Sequence, residues 1–229
     1  MKKISFYLLV LALCSVSPAG AAGKREADLT VDKARVVLES MMNRIDASVP
    51  SQMLRTAYAV VIIPSMLKGG LIIGASYGSG IISARQEDGA MGPPAFFVAG
   101  GGSVGLQIGG QSIDLILIIA SPTGLGGVLK NQMTIGADAS VAAGPLGRRG
   151  EISASGISAG SDLYSYSSSA GLFAGVSLDG TGLGYDRETT AAYYGREYTV
   201  HQVLLGGLIK DIPPSGQYLV ESLNKYMAP

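Results

Sequence analysis

Apolar and polar positions divide the chain into a helical first part and a strand-rich remainder. Between residues 24 and 50, apolar side chains recur at steps of three and four, and Thr30 is placed to cap a helix. This spacing predicts one amphipathic helix. At about 100° per residue, the apolar positions fill one continuous arc of that helix. They are Val31, Ala34, Val37, Leu38, Met41, Met42 and Ile45.

Basic side chains border the apolar arc of this helix. Lys33, Arg35 and Arg44 lie at its edges, whereas acidic residues fall on the opposite side. Basic edges beside an apolar stripe suit an anionic membrane surface, where the heads meet phosphate. Most amphipathic helices of soluble proteins instead pack on a core and leave their charges solvated. The pattern leaves both interpretations open, and the core helix is the commoner case.

After residue 50 the pattern changes to short apolar runs that are rich in β-branched residues and separated by glycine, which predicts strands. The run 113–120 is almost continuously apolar after Asp114, so it predicts a central strand buried on both faces. The pair Gly109-Gly110 predicts a hairpin turn between this strand and its predecessor. The strand-like runs are 58–63, 71–77, 95–99, 103–108, 113–120, 133–142 and 172–178.

Helical patterns return after the strands, at 199–205 and 215–226, and each begins at a hydroxyl N-cap, Thr199 in the first and Ser215 in the second. The order of one helix, many strands and further helices predicts an α+β fold. We expect a single domain over residues 23–229, with a glycine-rich, mainly antiparallel β core that is sandwich or barrel-like. An N-terminal amphipathic helix and C-terminal helices would flank this core.

Composition narrows the function classes. The 229 residues include 33 glycines, and 47% are hydrophobic against 15% charged, which excludes wholesale disorder. Seventeen basic residues balance 17 acidic ones, so non-specific nucleic-acid binding is not expected. One cysteine and one histidine cannot form a disulfide or a multi-histidine metal site. We therefore expect no metal and no cofactor.

The first 22 residues resemble an export signal. Lys2 and Lys3 precede an apolar stretch at 4–13 that is too short to span a bilayer, and small residues follow. Cleavage after Ala21 or Ala22 would remove the only cysteine and place the mature protein in the periplasm. A second interpretation keeps Cys14 as a lipidated first residue, although Leu13 stands where a lipoprotein box requires a small side chain. Peripheral attachment to a membrane is compatible with either form.

Enzyme motifs in the sequence lack the context that gives them chemical meaning. The pattern G-x-S-x-G occurs around Ser76, Ser103 and Ser158, each time in strand-like sequence without a following helix. His201 could in principle complete a serine hydrolase triad, but no oxyanion hole is recognisable. A G-x-G-x-x-G pattern at 100–105 also leads into a strand, so it cannot place a pyrophosphate on a helix N-terminus. A hydrolase is the remotest of our hypotheses.

A distributed set of motifs between residues 56 and 195 resembles the SYLF-domain family. The matching elements are Val60-Val61-Ile62-Ile63-Pro64, Gly78-Ser79-Gly80, Asp88-Gly89, Pro94-Ala95-Phe96, 105–111 with Asp114, 134–145 with Gly147-Arg148, 166–175, and Tyr193-Tyr194-Gly195. This family comprises lipid-binding domains of exported bacterial proteins and of eukaryotic proteins that bind phosphoinositides and actin. The resemblance implies one domain, a binding role and no catalytic machinery.

Two departures from the family pattern shape what the resemblance implies. Ala90-Met91-Gly92 replaces the common Trp-Ser element, and Ser168 and Ala170 stand where eukaryotic members place basic residues. An extracytoplasmic protein would also rarely meet phosphoinositides or actin. The resemblance therefore implies binding of bacterial phospholipid or another apolar ligand.

Our first functional hypothesis is non-enzymatic phospholipid binding at the cell envelope. Lys33, Arg35 and Arg44 would contact headgroups, while Val37, Leu38 and Met41 would enter the acyl boundary. The adjacent Arg148 and Arg149 could hold a phosphate on a loop. The alternative is an envelope structural or protein-interaction module that has a protein partner and no lipid ligand.

Four polar residues in the apolar runs have two possible roles. Gln107, Gln111, Asp114 and Asp138 could be buried and hydrogen-bonded, fixing strand register, or they could form a ligand site. The first role is the commoner one for polar groups in strands.

Overall fold

A computed structural model gives the architecture, which is one curled sheet covered by helices. It describes residues 19–44, 49–70, 73–104, 109–144, 160–169, 172–173 and 178–228. Within these residues the helices are α1 Ala19–Met42, α2 Ser51–Thr56, α3 Pro122–Leu129, α4 Arg187–Tyr194, α5 Val200–Leu204 and α6 Pro214–Met227. The strands are β1 Ala59–Gly70, β2 Ile73–Ala84, β3 Ala95–Val104, β4 Gly109–Ile119, β5 Gln132–Thr134, β6 Val141–Ala143, β7 Leu163–Ser169, β8 Leu172–Phe173 and β9 Thr181–Tyr185.

The strands form one sheet in the order β5-β9-β3-β2-β1-β4-β7-β6, with β8 paired to β7. All pairs are antiparallel except β6 with β7. This arrangement confirms the predicted α+β class and the mainly antiparallel core.

The sheet must curl because a short segment joins its two edges. The segment between Thr134, which ends β5, and Val141, which begins β6, spans at most about 25 Å when fully extended. Eight flat strands would hold their outer members about 34 Å apart. A turn in which the N–H of Asp138 donates to the carbonyl of Thr134 shortens the segment further. Of the two predicted core shapes, the barrel-like one describes this half-barrel.

Strands β1 and β4 are buried on both faces. On one face Val60 and Ile62 join a cluster with α1, α2 and α6, whereas Val61 and Ile63 join a second cluster with α3 and α5. Residues 115–119 of β4 alternate between the same two clusters. The continuous apolar run therefore does mark a central strand, as predicted.

A bulge in β1 brings the backbones of β1 and β2 very close together. The register shifts between Ile62 and Leu67, and Ser65 has a φ of 53°. The N–H of Ser65 donates to Oδ1 of Asp114 at 2.9 Å. Opposite the bulge, a Cβ on Gly80 would lie 2.2 Å from the carbonyl oxygen of Ile62. Glycine is therefore required there by contact with backbone, which cannot move aside.

The polar strand residues divide between structural roles and exposure. Asp114 is half-buried and fixes the bulge through Ser65. Asp138 caps its own turn, since its Oδ2 accepts from the N–H of Thr134 at 2.7 Å. Gln111 is exposed, and Gln107 lies outside the described residues. The register role therefore holds for Asp114, and Asp138 serves a turn instead of a strand.

Three local predictions were wrong. Gly109 and Gly110 are not a hairpin turn, because they lie in β4 and pair with Gly70 and Gly69 of β1. The predicted turn would have paired β3 with β4. In the sheet, β2 and β1 lie between β3 and β4, so β3 and β4 are not neighbours. The run 133–142 is divided by a turn into β5 and β6. The third concerns N-caps. Thr30 is not an N-cap, because α1 begins at Ala19 and the Thr30 hydroxyl donates to the carbonyl of Glu26 inside the helix. Ser215 is not one either, because α6 begins at Pro214 with Pro213 as its N-cap, whereas Thr199 does cap α5.

Arg85, the residue after β2, is hydrogen-bonded to the last turn of α2. The Arg85 guanidinium donates to the carbonyl oxygens of Ala57, Gly89, Leu54 and Arg55 at 2.6–2.9 Å. Leu54 and Arg55 belong to the last turn of α2, where carbonyls lack part of their helical hydrogen bonds and a cation suits the helix dipole. Burial lowers the pKa of this guanidinium from its usual value. The four hydrogen bonds hold α2 against the end of β2.

We predict that Gly80→Ala destabilises the domain by about 3 kcal/mol or more, because its methyl group would overlap backbone atoms of β1. Gly110→Ala is the matched control, since a Cβ there meets nothing within 4 Å and the change should stay within about 0.5 kcal/mol. Urea unfolding followed by circular dichroism measures both. Equal stability of the two variants would contradict the close approach at the bulge.

Candidate functional site

Helices α1 and α6 lie side by side and run in the same direction on one face of the sheet. Three pairs of side chains join them in order along both helices. The hydroxyl of Ser215 donates to Asp28 at 2.7 Å and that of Ser222 donates to Glu39 at 3.1 Å. Just beyond α1, the amide of Asn43 donates to the Tyr226 hydroxyl at 2.8 Å. The pair presents one continuous outer surface, which includes the predicted basic residues Lys33 and Arg35.

The apolar residues that were expected to enter a membrane are part of the core. Val37, Leu38 and Met41 are 6%, 0% and 2% exposed and pack in the cluster that covers β1 and β4. The structure corrects the expectation for these three residues, because they could meet acyl chains only if α1 left the sheet. The apolar arc of α1 is a core stripe.

The predicted basic residues have separate surroundings. Lys33 is exposed on α1, and Arg44 is half-buried just beyond its end. Arg35 is partly exposed and its Nη1 donates to Oε1 of Glu39 at 2.8 Å. Arg148 and Arg149 lie outside the described residues.

Two exposed aliphatic side chains lie on the outer face of α1. Neither is among the predicted binding residues. Leu29 and Val36 are 51% and 57% exposed. At about 100° per residue, both lie within about 60° of Lys33 around the helix. Their spacing of seven residues was a readable signal, because positions two turns apart share a face. The outer face thus carries two aliphatic groups beside Lys33, together with the exposed acidic residues Glu26 and Asp32.

A groove between α1 and α6 adjoins this face. It encloses about 380 Å³ and is lined by Arg35, Tyr218, Glu221, Ser222 and Lys225. Nε of Arg35 is buried without a hydrogen-bond partner among the described residues. Tyr218 is 57% exposed. The groove offers charges of both signs and an aromatic ring, which suits binding of a polar group better than acid–base chemistry.

A buried hydroxyl pair fixes α6 to α4 and α1. The hydroxyls of Tyr193 and Ser215 lie 2.8 Å apart, and Ser215 also donates to Asp28. Burial raises the pKa of Tyr193 to about 12, so its hydroxyl stays neutral and able to donate. Among the described residues, the side chains hydrogen-bonded to the Ser215 hydroxyl are those of Tyr193 and Asp28, so neither a histidine nor a lysine accepts its proton. The arrangement positions helices and does not activate a nucleophile.

The residues considered for hydrolysis do not form a site. Ser76 lies within β2 and Ser103 within β3, so neither is on a strand-to-helix turn; Ser158 lies outside the described residues. His201 is an exposed residue of α5. In the described part of the chain, metal-binding side chains do not gather in groups of three. No described helix has the length and hydropathy needed to cross a membrane.

Comparison with known proteins gives consistent matches over most of the chain. A family model described as "Las17-binding protein actin regulator", Ysc84, matches residues 100–226. Protein YSC84 of Saccharomyces cerevisiae is 34% identical over 198 residues, which are 83% of this chain and 42% of the relative. An SH3 domain-containing protein of Schizosaccharomyces pombe is 35% identical over 179 residues, or 77% of this chain and 41% of its own length.

A relative from an animal matches a similar share of this chain. The SH3 domain-containing YSC84-like protein 1 of Xenopus laevis is 31% identical over 191 residues, which cover 82% of this chain and 55% of that protein. The matched segment thus spans roughly two fifths to one half of these relatives.

We predict that Ser215→Ala lowers the free energy of unfolding by about 1–3 kcal/mol, because it removes the oxygen to which the buried Tyr193 hydroxyl donates. Tyr193→Phe removes that hydroxyl, so the double variant should be more stable than the sum of the single effects by about 0.5–2 kcal/mol. A double-mutant cycle in urea measures this coupling. Additive effects would show that the two hydroxyls do not depend on each other.

Proposed function

Because the chain belongs to the Ysc84 (SYLF-domain) family, whose model is described as "Las17-binding protein actin regulator", we propose that it is a non-enzymatic lipid-binding domain. Its contact surface is the outer face of α1 together with the α1/α6 groove. Its ligand is a phospholipid membrane surface of the bacterial cell envelope.

The observation that carries this proposal is the exposure of Leu29 and Val36 beside Lys33. An exposed apolar patch that is bordered by polar residues marks a protein or membrane contact, and these two aliphatic side chains share one helix face. A helix lying on a membrane uses this combination, because aliphatic groups enter the interface while lysine reaches phosphate. Here the helix stays packed on the sheet and uses only its outer side.

The groove extends this surface with groups that suit a headgroup. Arg35 and Lys225 can pair with a phosphate, and Glu221 can pair with the ammonium group of a zwitterionic lipid. Tyr218 has the amphipathic ring that favours the interface between water and hydrocarbon. Headgroup contact would supply orientation, and aliphatic contact would supply part of the affinity.

The expected export signal is compatible with this surface. Cleavage after Ala21 or Ala22 would shorten α1 by its first residues, and Ala27 is the first α1 residue described as buried. The core stripe from Ala27 onward would remain. The mature domain would therefore keep α1 in place and meet phospholipid in the periplasm. Arg148 and Arg149 stay a proposed second phosphate contact.

A protein partner is the second candidate. One relative, LAS seventeen-binding protein 3 of Saccharomyces cerevisiae, is named for a protein that it binds, and this name favours a protein partner. The same aliphatic face could contact an apolar patch of another envelope protein. Removal of α1 would not separate the candidates, because that helix covers the core. Substitutions on its outer face are required.

We predict that Leu29→Ser with Val36→Ser weakens binding to vesicles of phosphatidylglycerol and phosphatidylethanolamine about tenfold or more, which corresponds to about 1.4 kcal/mol of lost burial. Lys33→Glu should remove much of the salt-dependent part of binding. Co-sedimentation of residues 23–229 at low and high salt measures both effects.

Leu208→Ser is the matched control, because Leu208 is 52% exposed and follows α5, which packs on the other side of the sheet. It should bind vesicles as the unchanged protein does. Failure of the unchanged protein to bind either these vesicles or phosphatidylcholine vesicles would reject lipid binding and favour the protein partner. Equal binding by the α1 variant and the control would reject the proposed face.

A further inference from the structure

A second cavity lies where β9 meets the start of α5, on the other side of the sheet from α1 and α6. It encloses about 360 Å³, at the lower end of the range for small-molecule sites. Its lining combines aromatic rings, uncharged polar groups and one ion pair. The lining residues are Asn131, Tyr185, Arg187, Glu197, Tyr198, Thr199 and Gln202.

The charges at this cavity cancel each other. Arg187 forms a salt bridge with Glu197, and both side chains are about two-thirds exposed, at 65% and 67%. A phosphate or sulfate would have to displace Glu197 from Arg187 or lie beside its carboxylate. The cavity therefore favours a ligand without net charge.

Uncharged hydrogen-bonding groups remain available at the cavity. The Asn131 side-chain amide has no hydrogen bond among the described residues, and the φ of this residue is 67°. Gln202 uses its Oε1 to accept from the N–H of Thr199 at 2.9 Å, which leaves its Nε2 to donate. The Thr199 hydroxyl accepts from the N–H of Gln202 at 3.2 Å and keeps its own proton. These groups can pair with hydroxyls of a neutral ligand.

The tyrosines supply a rigid apolar wall. The Tyr198 ring is packed edge-on against Tyr194 at 5.9 Å, and the Arg196 guanidinium lies 4.7 Å from its centroid. The Tyr185 hydroxyl donates to the carbonyl of Tyr198 at 2.7 Å and holds this segment against β9. A half-buried ring fixed in this way offers contact area at little entropic cost.

We propose that this cavity binds a neutral saccharide of one or two hexose rings. A sugar ring has an apolar C–H face that can pack on tyrosine and a rim of hydroxyls that can pair with Asn131, Gln202 and Thr199. A purely apolar ligand would leave these polar groups buried and unpaired, which is costly. The site is separate from the lipid-binding surface, and it does not depend on the function proposed above.

The test is a titration of 15N-labelled protein, residues 23–229, with maltose and with chitobiose, followed by NMR. We expect saturable shifts of the Asn131 and Gln202 side-chain amide signals with at least one sugar, at a dissociation constant of about 1–10 mM. Gln202→Glu keeps the Oε1 acceptor that caps α5 and removes the donor. Asn131→Gly removes the amide without straining a positive φ.

Each of these variants should weaken sugar binding at least about fivefold, or about 1 kcal/mol. Gln52→Glu is the matched control, because it makes the same chemical change at an exposed position of α2. It should leave sugar binding unchanged.

Three results would overturn the proposal. The first is the absence of saturable shifts with both sugars up to about 50 mM. The second is unchanged affinity in folded Gln202→Glu and Asn131→Gly proteins. The third is that inorganic phosphate shifts the same signals at lower concentration, which would assign an anion to the cavity. The serine variant at Leu29 and Val36 should keep full sugar binding whether or not it binds vesicles.

Discussion

Strands β1 and β4 present apolar side chains to both sides of the sheet, so neither face can be left to solvent. Val60 and Ile62 must be buried on one face, and Val61 and Ile63 on the other. The elements that bury one face of the sheet are called its cover. Burial of such side chains contributes about 1.5–3 kcal/mol each. Helices α1, α2 and α6 form the first cover, and α3 and α5 with the outer strands contribute to the second.

This double burial decides what α1 can do. Its apolar stripe, which includes Leu38 and Met41, is needed to cover β1 and β4. A helix that left the sheet to enter a membrane would expose that face of both strands. The proposed lipid contact is therefore confined to the outer side of α1, where Leu29 and Val36 are exposed. The hydrogen bonds to α6 determine which residues share that surface.

The sequence allowed prediction of features that are set by local pattern. The apolar run at 113–120 identified a strand buried on both faces, and the pattern at 215–226 identified α6. Strand neighbours could not be read in this way. The glycine pair at 109–110 has the composition of a turn, but it pairs with glycines of β1 because the β1–β2 hairpin lies between β3 and β4.

In the candidate site, too, local features could be predicted from the sequence and contacts between distant segments could not. The helical wheel separated the buried arc of α1 correctly, yet it could not show that this arc belongs to the core. The α1/α6 groove was not predictable at all, because Arg35 and Lys225 are 190 positions apart in sequence and meet only after the sheet has folded. The exposed pair at Leu29 and Val36 was readable but was outweighed by the longer stripe.

The two covers give the domain two chemically different sides. The cover that contains α1 and α6 has exposed aliphatic groups, charged residues and a tyrosine, which suit a membrane surface. Helix α5 and the β9 end belong to the other cover, whose cavity is lined by tyrosines, uncharged polar groups and one ion pair. Because the sheet separates these covers, a domain lying on a bilayer through α1 would keep the second cavity open to solvent. Lipid and sugar could then be bound at the same time, since neither site needs the cover of the other to move.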